Sequence, residues 1–396
     1  MNAPARFIDI HVLQSVPFAN LNRDDTNSVK TVQYGNTLRT RVSSQSWKRA
    51  IRSVFEDHIG DAALRTRRIG ERVTRELSLR GWPTELAQRA GGHVAAASGI
   101  KFELAKAPGE GKQSVPNKVL TNAMVYVPEA AVTELADLAE RHQAALEQAK
   151  DIKKPADKSV LPTGEVAGVL RSRNGVINLF GRMLAEIDDA GVDGAVQVAH
   201  ALTTHETDVE LDYFSAVDDI TALWNDASGS GHMGHAEFSA GTFYRYATLD
   251  LRDLMINIGD EPAAARDLTA AFLTSFITSL PQAKKNSTAP HTIPDLVHIS
   301  VRADRPLSYA AAFEKPVQAS PQGGFADLSR TRLSDYAQAA NTLLGTRALL
   351  ASGWASLDSD DLAGLGERRD SFDDLITTAV ATALTPATTK ATEATA

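Results

Sequence analysis

Residues 39–55 read Arg-Thr-Arg-Val-Ser-Ser-Gln-Ser-Trp-Lys-Arg-Ala-Ile-Arg-Ser-Val-Phe, the grammar of a strand end, a hydroxyl-rich turn and an amphipathic helix. Ser43 or Ser44 is placed to accept the first exposed backbone N–H groups of that helix. Trp47, Ala50, Ile51, Val54 and Phe55 then fall at the i, i+3, i+4, i+7, i+8 spacing of a helix buried on one side. The opposite face carries Lys48, Arg49 and Arg52. No Asp or Glu occurs from residue 26 to residue 55, whereas Lys30, Arg39, Arg41, Lys48, Arg49 and Arg52 put six positive charges there, in a chain whose net charge is −8. A helix start framed by small hydroxyl residues favours an anion, because unpaired N–H groups and the helix dipole point at it. Cations on the following turns extend that preference over several phosphates, which suits an extended polyanion. The competing reading of the same run is a solvated face beside a core helix.

With 396 residues, 43% of them apolar and 23% charged, the chain can bury a substantial core in one large or several ordinary domains. It has no cysteine, which excludes disulfides, thiolate metal sites and cysteine nucleophiles together. No apolar run reaches the roughly 18 residues of a membrane span, and the N-terminus lacks the pattern of a signal peptide. A cytoplasmic protein is expected. The acidic balance argues against indiscriminate coating by nucleic acid and leaves room for one dedicated groove.

Residues 7–13, Phe-Ile-Asp-Ile-His-Val-Leu, predict a first strand with Phe7, Asp9, His11 and Leu13 on one side and Ile8, Ile10 and Val12 on the other. Residues 15–36 read as a long polar loop, in which Asp24 and Asp25 are placed to pin Arg23 or to coordinate a cation. Residues 60–150 are largely helical by pattern, with helices over 65–79, 85–97 and 132–149. Residues 106–114 fail as a phosphate loop, since Lys106 stands where a first Gly belongs and Gln113 where Ser or Thr belongs. A mobile connection is expected over 151–163. Residues 191–205 resume strand alternation, and His200 and His205, five apart, share neither a helix face nor a strand face as metal ligands would.

Residues 206–226 hold seven acidic residues and no Lys or Arg around Tyr213 and Phe214. The GxGxxG run at 229–234 follows no strand and reads as a flexible tip, while 243–251 alternate cleanly, so 206–245 form a projection rooted in two strands. A helix over 262–280, a basic loop with Lys284 and Lys285, a buried strand over 296–301, further helix over 329–380 and a disordered Ala/Thr tail over 385–396 complete the expectation.

No paired carboxylates, nucleophile elbow or HExxH run emerges. Tyr213, Phe214 and Met233 on the projection can stack on bases or wedge between them, or simply pack under a hairpin. The rivals to an RNA-binding protein are a metal-dependent ribonuclease, resting on ten histidines and the acidic clusters, and a metabolic enzyme with a single anion site.

Several blocks taken together resemble one family, the CasC backbone subunit of type I-E CRISPR Cascade complexes. They begin at Phe7 (FIDIHVL), Leu21 (LNRDD), Arg41 (RVSSQSWKRAIR), Val192 (VDGA), Ala199 (AHALTTH), Phe214 (FSAVDD), Phe243 (FYRY) and Ala312 (AFEK), in order over residues 6–316. The resemblance implies an α+β fold: a modified RNA-recognition-motif (ferredoxin-like) palm with a helical fingers insertion and a protruding thumb. The palm would take residues 1–55, 181–200 and 246–384, the fingers 56–180 and the thumb 201–245. It further implies a non-catalytic subunit without cofactor or metal, copies of which stack head to tail along one CRISPR RNA, a heterologous contact that propagates until other subunits cap it. The other implied partners are target DNA through the guide, a large subunit, a small subunit, a 5′-handle-binding subunit and a CRISPR RNA-processing endonuclease, with no membrane. Carried over by position, Arg23, Arg41, Ser43, Ser44, Gln45, Lys48, Arg49, Arg52 and Lys284 would contact RNA. Met183, Tyr213, Phe214 and Met233 would wedge the nucleic acid. Relatives commonly carry Trp where Tyr213 stands.

Overall fold

The structure is a computed structural model and describes residues 4–106, 114–217, 230–359 and 361–384. Most of the 106–114 loop, residues 218–229 and the tail at 385–396 lie outside the described residues, whereas 230–234 of the run expected as a flexible tip open a long strand paired with the one that ends at Val217. In chain order the elements are β1 (Phe7–Ala19), β2 (Thr31–Tyr34), β3 (Thr37–Val42), α1 (Ser44–Ile59), β4 (Ala63–Thr66), α2 (Ile69–Leu79), α3 (Thr84–Ala97), β5 (Phe102–Lys106), β6 (Ser114–Thr121) and β7 (Val125–Pro128). There follow α4 (Ala130–Arg141), α5 (Gln143–Gln148), α6 (Thr163–Leu170), α7 (Gly175–Phe180), β8 (Val196–Val198), β9 (Ala201–Thr203), β10 (Glu210–Val217) and β11 (Ser230–Asp250). The last are α8 (Leu251–Ile258), α9 (Pro262–Thr278), α10 (Lys285–Thr288), β12 (Leu296–Arg302), α11 (Ala326–Leu344), β13 (Leu349–Ser356), β14 (Glu367–Arg368) and α12 (Phe372–Leu384).

The chain divides into two compact units. The larger takes Met1–Phe55, Val196–Met255 and Glu261–Ala396 and is built on a mixed sheet in the order β14-β13-β12-β1-β11-β9-β3-β2, with β8 and β10 also paired to β11. β1 is central because it pairs antiparallel with β11 on one side and β12 on the other. Directly opposed residues share a face, so Ile8, Ile10 and Val12 stand with Ala247, Leu249, Val297, Ile299 and Val301 on one side. Asp9 and His11 stand with Tyr246, Thr248, His298 and Ser300 on the other. Both faces are buried. Over the polar face, Arg302 bonds Asn341 of α11 at 3.1 Å, and Tyr309 stacks on His11 with ring centroids 4.2 Å apart.

Four expectations change. β1 continues past Leu13 to Ala19 through a register shift between Val16 and Ala19, and β2 interrupts the expected loop. Residues 349–356, expected helical, are β13, a strand of small residues beside β12. The largely helical stretch also holds the pairs β4–β7 and β5–β6, and its last helix breaks at His142 between α4 and α5. The alternation over 191–205 yields only the three-residue strands β8 and β9. The helices expected over 85–97 and 262–280 and the strand over 296–301 are present as α3, α9 and β12.

The smaller unit takes Glu56–Ala195 and Ile256–Asp260, and residues 181–195 belong to it. Its core joins Ile69, Val73, Leu77, Ala90, Val94, Val127, Leu135, Leu138 and Leu170. α2 and α3 cross at Gly70 and Gly91, where a Cβ on Gly91 would stand 2.3 Å from the Gly70 carbonyl oxygen; any side chain there would drive the helices apart. Arg182 is buried in this unit and donates to the carbonyls of Arg171, Ser172, Tyr126 and Ala190, its pKa pushed down to about 10 by burial and then by Arg173. Among the described residues no helix is long and apolar enough to cross a membrane.

Candidate nucleic-acid interface

α1 follows β3 after a single residue, and that residue, Ser43, is the cap: its Oγ accepts from the Ser46 N–H at 3.3 Å. Asn22 fixes the turn from outside, accepting the Ser43 N–H on Oδ1 at 2.8 Å. The helix seats itself through Trp47, Ala50, Ile51 and Phe55, all buried. Trp47 packs under the Arg245 guanidinium, 4.0 Å from its ring centroid. Arg245, buried, also donates to Gln14 at 2.7 Å and to the Phe276 carbonyl, and burial pushes its pKa down to about 9.

This anchoring sorts the cations. Arg39 is not on the surface: it is fully buried and donates to the carbonyls of Thr203 at 2.9 Å, Phe313 at 3.0 Å and Glu314 at 3.3 Å. Arg49 and Gln45 face solvent, while Lys48 and Arg52 are half-buried, so the cationic face of α1 is less open than its spacing suggests. Burial lowers the Lys48 pKa from its ordinary value. Arg41, two residues beyond Arg39, is half-buried and reaches His200 Nδ1 at 3.1 Å; the Ser44 N–H, first in the helix, meets the same nitrogen at 3.2 Å.

Arg23 lies exposed in the loop after β1, bonded to Asn27 Oδ1 at 2.9 Å. Contrary to the expectation from the sequence, neither Asp24 nor Asp25 pins it. The Asp24 carboxylate closes its own turn by accepting from the backbone N–H groups of Thr26 and Ser28, because a short Asp side chain reaches its own backbone first. Glu237 of β11 holds this loop by accepting from Ser28 Oγ at 3.0 Å and the Val29 N–H at 2.9 Å. The loop that carries Arg23 is therefore tied to the base of the β10–β11 hairpin. Lys284 joins that base from another direction: held in a left-handed conformation at φ 53°, it places Nζ 5.4 Å from the Phe238 ring, which stacks on Phe18 at 4.4 Å.

β11 serves two roles, its second half in the centre of the sheet and its first half paired with β10. Register divides the apolar side chains of the hairpin. Tyr213 is opposed to His235 and Met233 to Ser215, which sets Tyr213, Met233 and Leu211 on one face. Phe214 takes the other face, opposed to Gly234, where its ring lies so close that an added Cβ would stand 2.6 Å from it. Tyr213 is 77% exposed, Met233 76% and Phe214 48%. Met183 belongs to the smaller unit, 94% exposed beside an open groove of about 850 Å³ whose lining includes Arg65, Asp189 and Asp193.

Sequence reading missed His200 as part of the basic edge, weighing it only as a metal ligand, and missed Asn22 and Glu237 as the braces of the loop. Their signals are long-range: His200 lies 156 residues beyond Ser44. Among the described residues no three His, Asp or Glu side chains are grouped as metal ligands. His205 instead stacks on Phe325 and accepts the Thr242 N–H on Nε2.

Fold and site define a class: a mixed α/β protein whose large sheet carries a cationic strand-to-helix edge and a hairpin with bare apolar side chains. The family model described as CT1975-like protein matches residues 8–378, and the chain belongs to that family. Two solved structures match almost end to end. A chain of "CRISPR RNA-guided surveillance complex, pre-nicking" is 45% identical at a TM-score of 0.87, with 95% of this chain and 100% of that chain covered. A chain of "CRISPR RNA-guided surveillance complex" is 39% identical at a TM-score of 0.76, with 95% and 99% covered. No curated protein matches. The resemblance to the Cascade backbone subunit drawn from the sequence blocks is upheld by these findings.

Proposed function

We propose that this protein is a non-catalytic structural subunit of a type I-E CRISPR surveillance complex, several copies of which polymerise along the CRISPR RNA in the cytoplasm. The observation that carries this reading is the 45% identity over the whole length of a chain from an RNA-guided surveillance complex. The sheet of the larger unit acts as an RNA-recognition-motif-like palm. Arg23, Arg41, Arg49 and Lys284, with the N–H groups at the start of α1, hold successive phosphates, and Ser43 and Asn22 keep that helix start in place. Gln45, Lys48 and Arg52 complete the edge from α1.

The β10–β11 hairpin is the thumb, whose exposed side chains wedge bases out of the stack, with Met183 a further apolar contact. Because the protein grips backbone and shape, the intervening bases stay free to pair with invading DNA, and sequence is read by the guide. The other subunits of the complex close the ends and flanks of the filament.

The test is binding of a labelled guide-length RNA to the purified chain, titrated across salt with chelator present, and the RNA recovered for length. Steeply salt-dependent binding of several copies to intact RNA is expected. RNA cut only when divalent metal is restored would replace this reading with the ribonuclease.

A further inference from the structure

We propose that His200 is a further phosphate ligand of the RNA, and that it engages the strand as the imidazolium. This rests on the RNA-binding reading above and adds to it a residue and a proton. In the free protein the His200 ring sits where an anion would sit at the start of α1: its Nδ1 meets the Ser44 N–H at 3.2 Å and Arg41 Nη1 at 3.1 Å. Both neighbours can only donate, so Nδ1 is the acceptor and carries no proton. His200 itself is exposed, in the short link between β8 and β9. Burial, Arg41 on β3 and Lys30 just before β2 all hold its pKa below the ordinary 6.5.

The imidazole is thus a placeholder with the wrong charge. A phosphate oxygen is a stronger acceptor for the same two donors. When it takes their hydrogen bonds, the Nδ1 lone pair is released beside a new negative charge, and both changes favour uptake of a proton from solvent. The imidazolium then donates to the phosphate that displaced it. Binding RNA raises the His200 pKa, so affinity rises as pH falls through the window between the free and RNA-bound pKa values, by at most about tenfold per pH unit for each copy bound.

The experiment measures RNA affinity and its salt slope for the full chain and for His200→Asn between pH 5 and 8, with thermal unfolding as the check on folding. Asn presents an oxygen near the position of Nδ1 and does not titrate in this range. The wild type is expected to bind more tightly at pH 5.5 than at pH 7.5, with a salt slope steeper by roughly 0.7 per copy, the mark of one more phosphate contact to a single strand. His200→Asn is expected to lose both differences while keeping its fold. A variant with the same pH dependence as the wild type overturns the proposal and leaves the RNA reading intact; no RNA binding by the wild type at any pH overturns both.

Discussion

The polar layer buried over β1, β11 and β12 and the basic edge at β3 and α1 use the same residue types, arginine, histidine and hydroxyls, under opposite conditions. In the layer, the Tyr246 hydroxyl donates to Asp9 at 2.9 Å, His11 meets the Tyr244 hydroxyl at 2.9 Å, and His298 bonds the Gly353 carbonyl at 2.9 Å, all out of reach of water. At the edge, Arg49 and Arg23 are exposed and Arg41 is only half-buried. Burial makes a polar group serve the fold, because an unmet hydrogen bond there costs more than a met one contributes. Exposure leaves its charge for something else. Arg39 and Arg41, two residues apart on one strand, mark the border between the two regimes.

The largest effect expected from crossing that border is Arg39→Leu. It strands the carbonyls of Thr203, Phe313 and Glu314, and at about 1–3 kcal/mol for each buried group left unpaired the loss is on the order of 3 kcal/mol or more. A lowered urea midpoint checks it, and an unchanged midpoint would place Arg39 in the exposed regime. Next is Asp9, which burial raises from 3.8 to about 6. The unfolded chain releases that proton near 3.8 and the folded chain near 6, so Asp9 withdraws about 3 kcal/mol of stability as pH rises across the window.

His298, lowered by burial from 6.5 to about 4, works the other way: its stability is present above 6.5 and lost as pH falls toward 4. The two contributions oppose each other between pH 4 and 6. Asp9→Asn removes one of them, so its unfolding free energy should climb more steeply with pH than that of the wild type, by about 3 kcal/mol over the window. Parallel curves for the two proteins would show that Asp9 does not titrate as its surroundings dictate.

On the exposed side, reversing Arg23, Arg41 and Arg49 to Glu is expected to weaken RNA binding on the order of a hundredfold and to flatten the salt slope by roughly 2, with the urea midpoint nearly unmoved. A large stability loss in that variant would break the contrast, since it would mean the edge also serves the fold.

How much of this was legible follows the same border. The helix α1 could be read from spacing alone, because Trp47, Ala50, Ile51 and Phe55 are local to one another and all buried, and Ser43 caps as a hydroxyl before a helix does. Arg39 could not be told from Arg41, since what buries it, Phe313 and Glu314, lies some 270 residues away. β13 was hidden for another reason: Leu-Leu-Ala-Ser-Gly-Trp-Ala-Ser has no alternation to show, and its glycine, Gly353, sits where a Cβ would meet the Glu367 carbonyl oxygen at a tight 3.1 Å. The strands β4 and β7 are four residues each and find their partners only across α2 and α3. The apolar hairpin residues were legible as a group, and strand alternation alone parts Tyr213 from Phe214, but which of the two Met233 joins depends on register, which no local pattern gives.

That division sets the smallest and most discriminating test. Tyr213 has little packing to lose, so Tyr213→Ala should leave thermal stability unchanged and cost RNA affinity about 1 kcal/mol, the low end for a base stacked on an aromatic ring. Phe214 is half-covered, and its ring rests on Gly234, so Phe214→Ala mixes lost packing with lost recognition. Gly234→Val separates them. It keeps the phenylalanine and only lifts its ring off the strand, since the new Cβ would stand 2.6 Å from it. If Phe214 meets nucleic acid in its present pose, Gly234→Val weakens RNA binding as much as Phe214→Ala does. If the ring merely packs the hairpin, Gly234→Val lowers the melting temperature and leaves RNA affinity where it was, and recognition at the hairpin then belongs to the Tyr213 and Met233 face alone.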